Sequence, residues 1–390
     1  MKIKEIITQI DEHDFLQVHV LFNQKDPNWI RPLDKEIYEI FNPKLNKAFR
    51  VGEVCRWILI GDQNELLGRI AVFVNRKYKN KGDEFPAGGV GFFDCINDQA
   101  CANLLFDTAK NWLTIRGVKA MDGPINFGER DKWWGLLTHG FYEPLYGMNY
   151  NPPYYQQLFE SYGFQNFYNQ ICWSLPVASE QAQLQPKFYE AHKKFSIQPE
   201  FTARSLAKGE IEKGITDFCS VYNRAWAKHE GNKEMSLDQA RRLFKSLKPV
   251  LDPDLVWFAY HLENPVAMYI SIPDINQILK HLSGQLNTWS KIKFLYYKMK
   301  GACDRFVGII YGIVPEFQGT GVDYFMIVEA EKFIKAKGRY KQTELLWQGD
   351  FNPKMLNISR NLGGEHSRTL VTYRYIFDRN VPFKRHPVLS

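Results

Sequence analysis

The sequence predicts a mixed α/β fold built twice in tandem, each copy a mostly antiparallel sheet flanked by helices. Three observations predict it. Short apolar runs bounded by turn residues alternate with amphipathic helical stretches along the chain. The same order of elements recurs at an offset of about 200 residues. A chain of 390 residues is also long for a single hydrophobic core. The predicted domains are 1–178 and 197–390, joined by a polar, Gln-rich linker at 179–196.

In the first half, 2–6 is a short strand and 11–22 a helix. Residues 55–60 and 66–74 form a hairpin through the turn Gly61-Asp62-Gln63-Asn64, and 89–96 is a further strand. Leu104, Leu105, Ala109, Trp112 and Leu113 mark 100–115 as a helix, stopped by Gly117. A strand at 119–125 and a helix at 153–162 complete the half. The second half repeats the order: strand 201–205, helices 210–228 and 237–247, hairpin 255–261 with 266–272, helix 291–300, strand 306–314, helix 322–337, strand 343–347 and helix 353–362. Four pairs keep register between the halves: Trp57 with Trp257, Asn64 with Asn264, Gly163 with Gly363, and Asn151 with Asn352.

Composition narrows the function. The chain is 45% hydrophobic, 24% charged and 15% aromatic, as a folded globular protein with packed sheets would be. A formal charge of +7 suits an anionic ligand, an acyl carrier protein or an acidic membrane surface. No basic run with interleaved aromatics argues for nucleic acid. Arg76, Lys77, Lys79 and Lys81 read as a solvated hairpin tip, and Glu129-Arg130-Asp131-Lys132 as a solvated charge run. The six cysteines lack C-x-x-C spacing, which predicts free thiols in a reducing cytoplasm. No histidine spacing predicts a metal site, no G-x-S-x-G elbow predicts a serine hydrolase, and no stretch is long enough to span a membrane.

The strongest functional signal is Ile313-Val314-Pro315-Glu316-Phe317-Gln318-Gly319-Thr320-Gly321-Val322. A buried strand runs through two glycines into a helix. Backbone amides at such a turn point outward, and the helix dipole favours an anion there. Gln-Gly-Thr-Gly resembles the acyl-CoA pyrophosphate loop of the GNAT-type N-acyltransferases, Arg/Gln-x-x-Gly-x-Gly/Ala. Gln318 and Gly321 fit that pattern, whereas Asp323 stands where a small residue is expected. The order of strands and helices resembles the GNAT fold in both halves. The resemblance implies an acyl-CoA-dependent N-acyltransferase whose loop, from Ile313 to Val322 and with Asn352 beyond it, holds CoA or the phosphopantetheine arm of an acyl carrier protein, and in which a backbone amide of Gly312-Ile313-Val314 polarises the thioester. No metal is implied.

The equivalent segment of the first half, Asn97–Asn103, has no glycine and carries Asp98, so backbone cannot approach a diphosphate there. GNAT families often place a tyrosine four residues before the glycine that closes the last helix. Here that position holds Ser359, and Phe159 in the first half. Glu344, Ser359 and Tyr154 are the catalytic candidates, with Asp350 behind Glu344 as an acceptor for the amine proton. A long aromatic segment follows 125, with Gly123-Pro124-Ile125-Asn126, Gly135-Leu136-Leu137, Gly140-Phe141 and Tyr150-Asn151-Pro152-Pro153-Tyr154-Tyr155. It resembles a large bacterial family of double-GNAT proteins, to which bacterial ceramide synthases stand near; those N-acylate a long-chain sphingoid base. Asn126, Asn151, Tyr154 and Tyr155 are the candidates for contacts with a small-molecule or lipid amine, and His139 is a further candidate base. Two alternatives stay open: a Fem-type aminoacyl transferase, against which the lack of a heptad arm counts, and a catalytically silent CoA-binding protein.

Overall fold

The structure, a computed structural model, describes residues 1–128, 130–178, 184–226 and 234–389. The first half contains β1 (Lys2–Glu5), α1 (Gln9–Asn23), α2 (Asp34–Ile40), β2 (Gly52–Ile60), β3 (Leu66–Asn75), β4 (Ala87–Cys95), α3 (Gln99–Ile115), β5 (Ala120–Gly123), β6 (Leu136–His139), α4 (Tyr155–Tyr162) and β7 (Gln165–Pro176). Helix α5 (Pro186–Phe195) connects the halves. The second half opens with β8 (Phe201–Ser205), α6 (Ile211–Trp226), α7 (Leu237–Leu247), β9 (Val256–His261), β10 (Asn264–Pro273), α8 (Asn276–Leu279) and α9 (Thr288–Met299). It closes with β11 (Arg305–Ile313), α10 (Val322–Lys337), β12 (Gln342–Gly349), α11 (Pro353–Asn361) and β13 (Glu365–Ile376).

The strands form one 13-stranded sheet in the order β1-β2-β3-β4-β5-β13-β7-β12-β11-β10-β9-β8, with β6 on β13. Two parallel pairs, β4 with β5 and β11 with β12, interrupt an otherwise antiparallel sheet. Each half ends on the last strand of the other: β13 lies against β5, β7 lies against β12, and β7 and β13 pair at the centre. We keep 1–178 and 197–390 as proposed domain limits along the chain, with this exchange of final strands across them.

Buried ion pairs tie the exchanged strands in. Arg374 on β13 donates to both carboxylate oxygens of Asp122 on β5, at 2.6 and 2.8 Å, and to Asp83 at 2.7 Å. Its guanidinium also stacks 3.7 Å from the centre of the Phe167 ring on β7. Arg368 on β13 sits 2.9 Å from Glu344 on β12. Neither β7 nor β13 was expected from sequence. Buried polar residues such as Gln170, Arg368, Thr372 and Arg374 break the alternation that marks a strand, and their partners lie on distant segments.

Helices cover both faces. In the first half α3 and α4 bury Leu105, Phe106 and Phe159 against Phe93, and α1 buries Phe15 and Val18 on the other face against Ile58 and Ala71. A capping box of Thr8 and Asp11 starts α1. In the second half α6, α7 and α10 bury Phe218, Phe244 and Met326 with Trp257 and Met268. Part of the predicted linker is helical. Pro186 starts α5, and Phe188 and Phe195 recur one seven-residue interval apart on its buried side. Residues 179–183 of the linker lie outside the described residues, as does Glu129 of the predicted charge run.

The rest of that run is not simply solvated. Lys132 is half-buried and donates to Glu36 at 2.8 Å and to the Tyr146 hydroxyl at 3.0 Å. Burial opposes its charge, but Glu36 and Tyr146 outweigh it and raise the ammonium above its ordinary range. All six cysteines are free. Among the described residues no helix is long and apolar enough to cross a membrane, and no cluster of three His, Cys, Asp or Glu could hold a metal.

Candidate functional site

The site is built where β11 parts from β12. The two strands pair in parallel only from Arg305 to Gly308 against Gln342 to Leu345, and then diverge. On its other edge β11 pairs with β10 through Ile313, with Ile309 as an extra residue at a bulge. A bulge re-aims the backbone and side chains that follow it. Beyond β11 a single turn, Pro315–Phe317, leads into Gln318-Gly319-Thr320-Gly321 and then α10.

Gly319 and Gly321 both have positive φ, 74° and 90°. Among the described residues nothing lies within 4 Å of a Cβ added at Gly319, so none of them blocks approach to its backbone. A Cβ at Gly321 would come 3.1 Å from the Ala191 Cβ on α5, so that glycine also lets the connecting helix close over the start of α10. Helix α10 has glycine at its N-cap; the Thr320 hydroxyl accepts from the Val322 amide at 3.4 Å, and the Asp323 carboxylate accepts from the amides of Asp323 and Tyr324.

The loop lines a cleft of about 660 Å³. Lys187 and Lys194, seven residues apart on α5, line it together with Gln318, Gly319 and Thr320, and the carboxylates of Glu190 and Asp323 line it as well. Neither lysine is ion-paired among the described residues. A second cavity of about 700 Å³ fills the gap between the diverging strands, lined by Phe306, Ile310, Ile327, Ile334, Leu346 and Met355 among others. Trp226, Tyr311 and Ile358 line both spaces, so the polar cleft and the apolar cavity meet there.

Tyr311 donates its hydroxyl hydrogen to Asp323 on the first turn of α10. Burial pushes both groups up, and the neighbouring carboxylate pushes the Tyr311 phenol up further. Asp323, which departs from the loop pattern, is thus a buried partner of a tyrosine at the junction. Sequence reasoning missed Tyr311, Lys187, Lys194 and Trp226. The signal for Tyr311 was Asp323 itself: a carboxylate standing where a small residue is expected needs a hydrogen-bond donor nearby.

The predicted loop residues fall together, with differences in detail. Ile313, Gln318, Gly319, Thr320 and Gly321 line the cleft. The Gln318 side chain donates to the Ile313 carbonyl at 3.3 Å, and the Thr320 hydroxyl to the Phe317 carbonyl at 2.8 Å. Val314 and Val322 are buried and line neither cavity. The Val314 amide is held by the Val266 carbonyl at 3.0 Å, so it is committed to the sheet rather than offered to a thioester. Asn352 and Ser359 line the apolar cavity. Asn352 caps α11 through Met355, and buried Ser359 exchanges hydrogen bonds with Gln348 at 2.6 and 3.0 Å.

The remaining candidates lie elsewhere. Glu344 lines neither cavity. It is buried, paired with Arg368 and hydrogen-bonded by Ser367 at 3.0 Å, because β12 turns that side chain to the far face of the sheet. Asp350 accepts from Arg385 at 2.7 Å and Asn169 at 3.0 Å. Tyr154 donates to the Cys95 carbonyl at 2.7 Å. Tyr155 is fully buried, bonded at 3.0 Å to both the Cys95 amide and Asp94. Burial pushes Asp94 up, but His19 and Arg69 outweigh it and hold the carboxyl well below its ordinary range. Asn151 fastens β6 through Leu137 at 2.9 and 3.1 Å, and Asn126 is buried with an unpartnered Oδ1 among the described residues. His139 stacks on His366. Tyr154, Tyr155 and Asn151 bind the aromatic strap to the first half; none of these residues lines the loop cleft or the apolar cavity, and Tyr154 borders a separate open hollow of about 610 Å³. At the matching helix start of the first half, Asp98 accepts from the Cys101 amide at 2.9 Å, so a carboxylate of the chain itself caps that helix.

This sheet, with its split parallel pair followed by a Gly-rich loop and helix, is the fold of the GCN5-related N-acetyltransferases in tandem. A tandem GNAT protein from the clavulanic acid biosynthesis pathway superposes with a TM-score of 0.53 at 8% identity, covering 98% of this chain and 99% of that one. A GCN5-related glucosamine N-acetyltransferase region of a fungal multi-domain GH3 beta-N-acetylglucosaminidase gives 0.53 at 12% identity over 96% of this chain, which spans 38% of that protein's length. In sequence the chain is 26% identical over 365 residues to a bacterial ceramide synthase of Caulobacter vibrioides (strain NA1000 / CB15N), covering 92% of this chain and 93% of the relative. No protein-family model matches the chain.

Proposed function

We propose that this protein is an N-acyltransferase that moves an acyl group from acyl-CoA, or from the phosphopantetheine arm of an acyl carrier protein, to a primary amine. The observation that carries it is the junction at Tyr311. There a polar cleft, lined by the Gly-rich loop at a helix start and by Lys187 and Lys194, neither ion-paired among the described residues, meets an apolar cavity between splayed strands. Diphosphate suits the first space and an acyl chain the second, which leaves the thioester near the phenol. The amine forms a C–N bond as the C–S bond breaks. As the C–S bond breaks, the Tyr311 hydroxyl turns its one hydrogen from Asp323 to the departing sulfur, and the proton lost by nitrogen returns through water to the phenolate. The relative named for ceramide synthesis supports a lipid amine as acceptor, since a ceramide is an amide of a long-chain amine.

The direct test incubates purified protein with long-chain acyl-CoA and a panel of amines. Mass spectrometry should find an amide together with free CoA. Absence of CoA binding by calorimetry would remove the acyl-CoA donor, and absence of any amide with acyl carrier protein as well would remove the proposal. Gly319→Glu places a carboxylate in the loop where space is open. It should weaken CoA binding by roughly ten-fold or more while costing about 1–2 kcal/mol of stability for its positive φ. Unchanged affinity in a folded variant contradicts a diphosphate at that loop. Ile310→Trp fills part of the apolar cavity. It should lower kcat/KM for a long acyl chain relative to a short one by about ten-fold; an unchanged ratio would assign the chain to another path.

A further inference from the structure

Helix α9 lies on the surface and lines neither cavity. Its inner side is short: Ser290 is buried, Phe294 packs beside Leu279 and Leu282, and Tyr297 stacks on His281 at 4.0 Å. Its outer side carries Trp289, Ile292, Leu295, Tyr296 and Met299, from 50% exposed at Tyr296 to 88% at Met299. At 3.6 residues per turn these five fall within one arc of about 120°. Lys293 and Lys300 border that arc on one side, Lys291 and Lys298 on the other. Lys298 also reaches the Pro249 carbonyl, and Lys300 lies over the Tyr296 ring at 4.8 Å. No acidic residue occurs from Gln285 to Lys300.

An exposed apolar stripe of this size needs a partner. The border of lysines, the aromatic pair and the lack of acid select its chemistry: an apolar layer beneath a sheet of negative charge. We propose that α9 is an interfacial helix that seats the protein on an anionic lipid surface. Trp289, Ile292 and Met299 enter the headgroup boundary and the lysines meet phosphates. This proposal stands on α9 alone and is independent of acyl transfer.

The test is co-sedimentation of the full chain with vesicles of phosphatidylcholine, alone or mixed with phosphatidylglycerol. Wild-type protein should bind the mixed vesicles and release them as salt rises. Lys293→Gln with Lys300→Gln should weaken that binding by roughly thirty-fold, and Ile292→Ser with Met299→Ser should abolish it. All four side chains are exposed, so the melting temperature should stay unchanged in both variants. Failure of wild type to bind mixed vesicles, or equal binding by the variants, overturns the proposal. So does a dimer that Ile292→Ser with Met299→Ser dissociates without altering vesicle binding, since a second copy would then cover the stripe.

Discussion

Tyr311→Phe should lower kcat by roughly 10²–10⁴-fold, the usual worth of a positioned acid, while the Kd for CoA changes little. The substitution removes one oxygen from the junction of the two cavities and leaves the Gly-rich loop untouched. It also strips Asp323 of its donor, which adds a stability cost of about 1–3 kcal/mol. Single-turnover rates at saturating acyl-CoA separate the two effects, because a folding defect alters the active fraction and not the rate constant. The pH profile adds a check. The Tyr311 phenol is pushed well above its ordinary value, so it keeps its proton across the working range. An alkaline limb below about pH 10 would therefore belong to another group. A Phe variant with wild-type turnover would return the tyrosine to a packing role.

Arg374→Met should destabilise the whole protein by about 3–5 kcal/mol, measured by denaturant unfolding. The guanidinium is held by Asp122 and Asp83, all three side chains nearly buried, and removing it strands two carboxylates in a poorly solvated site. The sign follows from asymmetry: an intact buried pair adds little net stability, whereas half of one is costly. Asp122→Asn added to Arg374→Met should recover part of the loss, because one stranded charge is gone. The strand exchange adds a distinct expectation. Arg374 belongs to the last strand of the chain but anchors in the first half, so both halves should lose stability together. Separate transitions, with only the second half weakened, would contradict that coupling.

The legible part of this fold was the part whose pattern is local. The hairpins, α3, α7 and α10 carry apolar residues at the period of their own backbone, with glycines after α3 and at both ends of α10 and a serine capping box at the start of α7, so neighbours in sequence suffice to identify them. The Gln318–Gly321 loop was legible for the same reason. The strap residues show what pattern leaves open. Tyr154, Tyr155 and Asn151 look chemical in sequence, yet their polar atoms close bonds to backbone and to Asp94 within the first-half core. Asn151 and Asn352 share register but not role, since only Asn352 caps its helix.

By itself the amino-acid sequence determined a twice-repeated α/β order and one Gly-rich turn between a strand and a helix, because periodicity and turn chemistry act between residues a few positions apart. Tertiary structure alone decided the exchange of β7 and β13, the burial of Glu344 away from the cleft, and the meeting of Tyr311 with Asp323 and of α5's lysines with the loop. Each of these depends on charges and hydroxyls finding partners far along the chain. A buried polar group is tolerated only where such a partner waits, and that is set by the packing of the whole molecule.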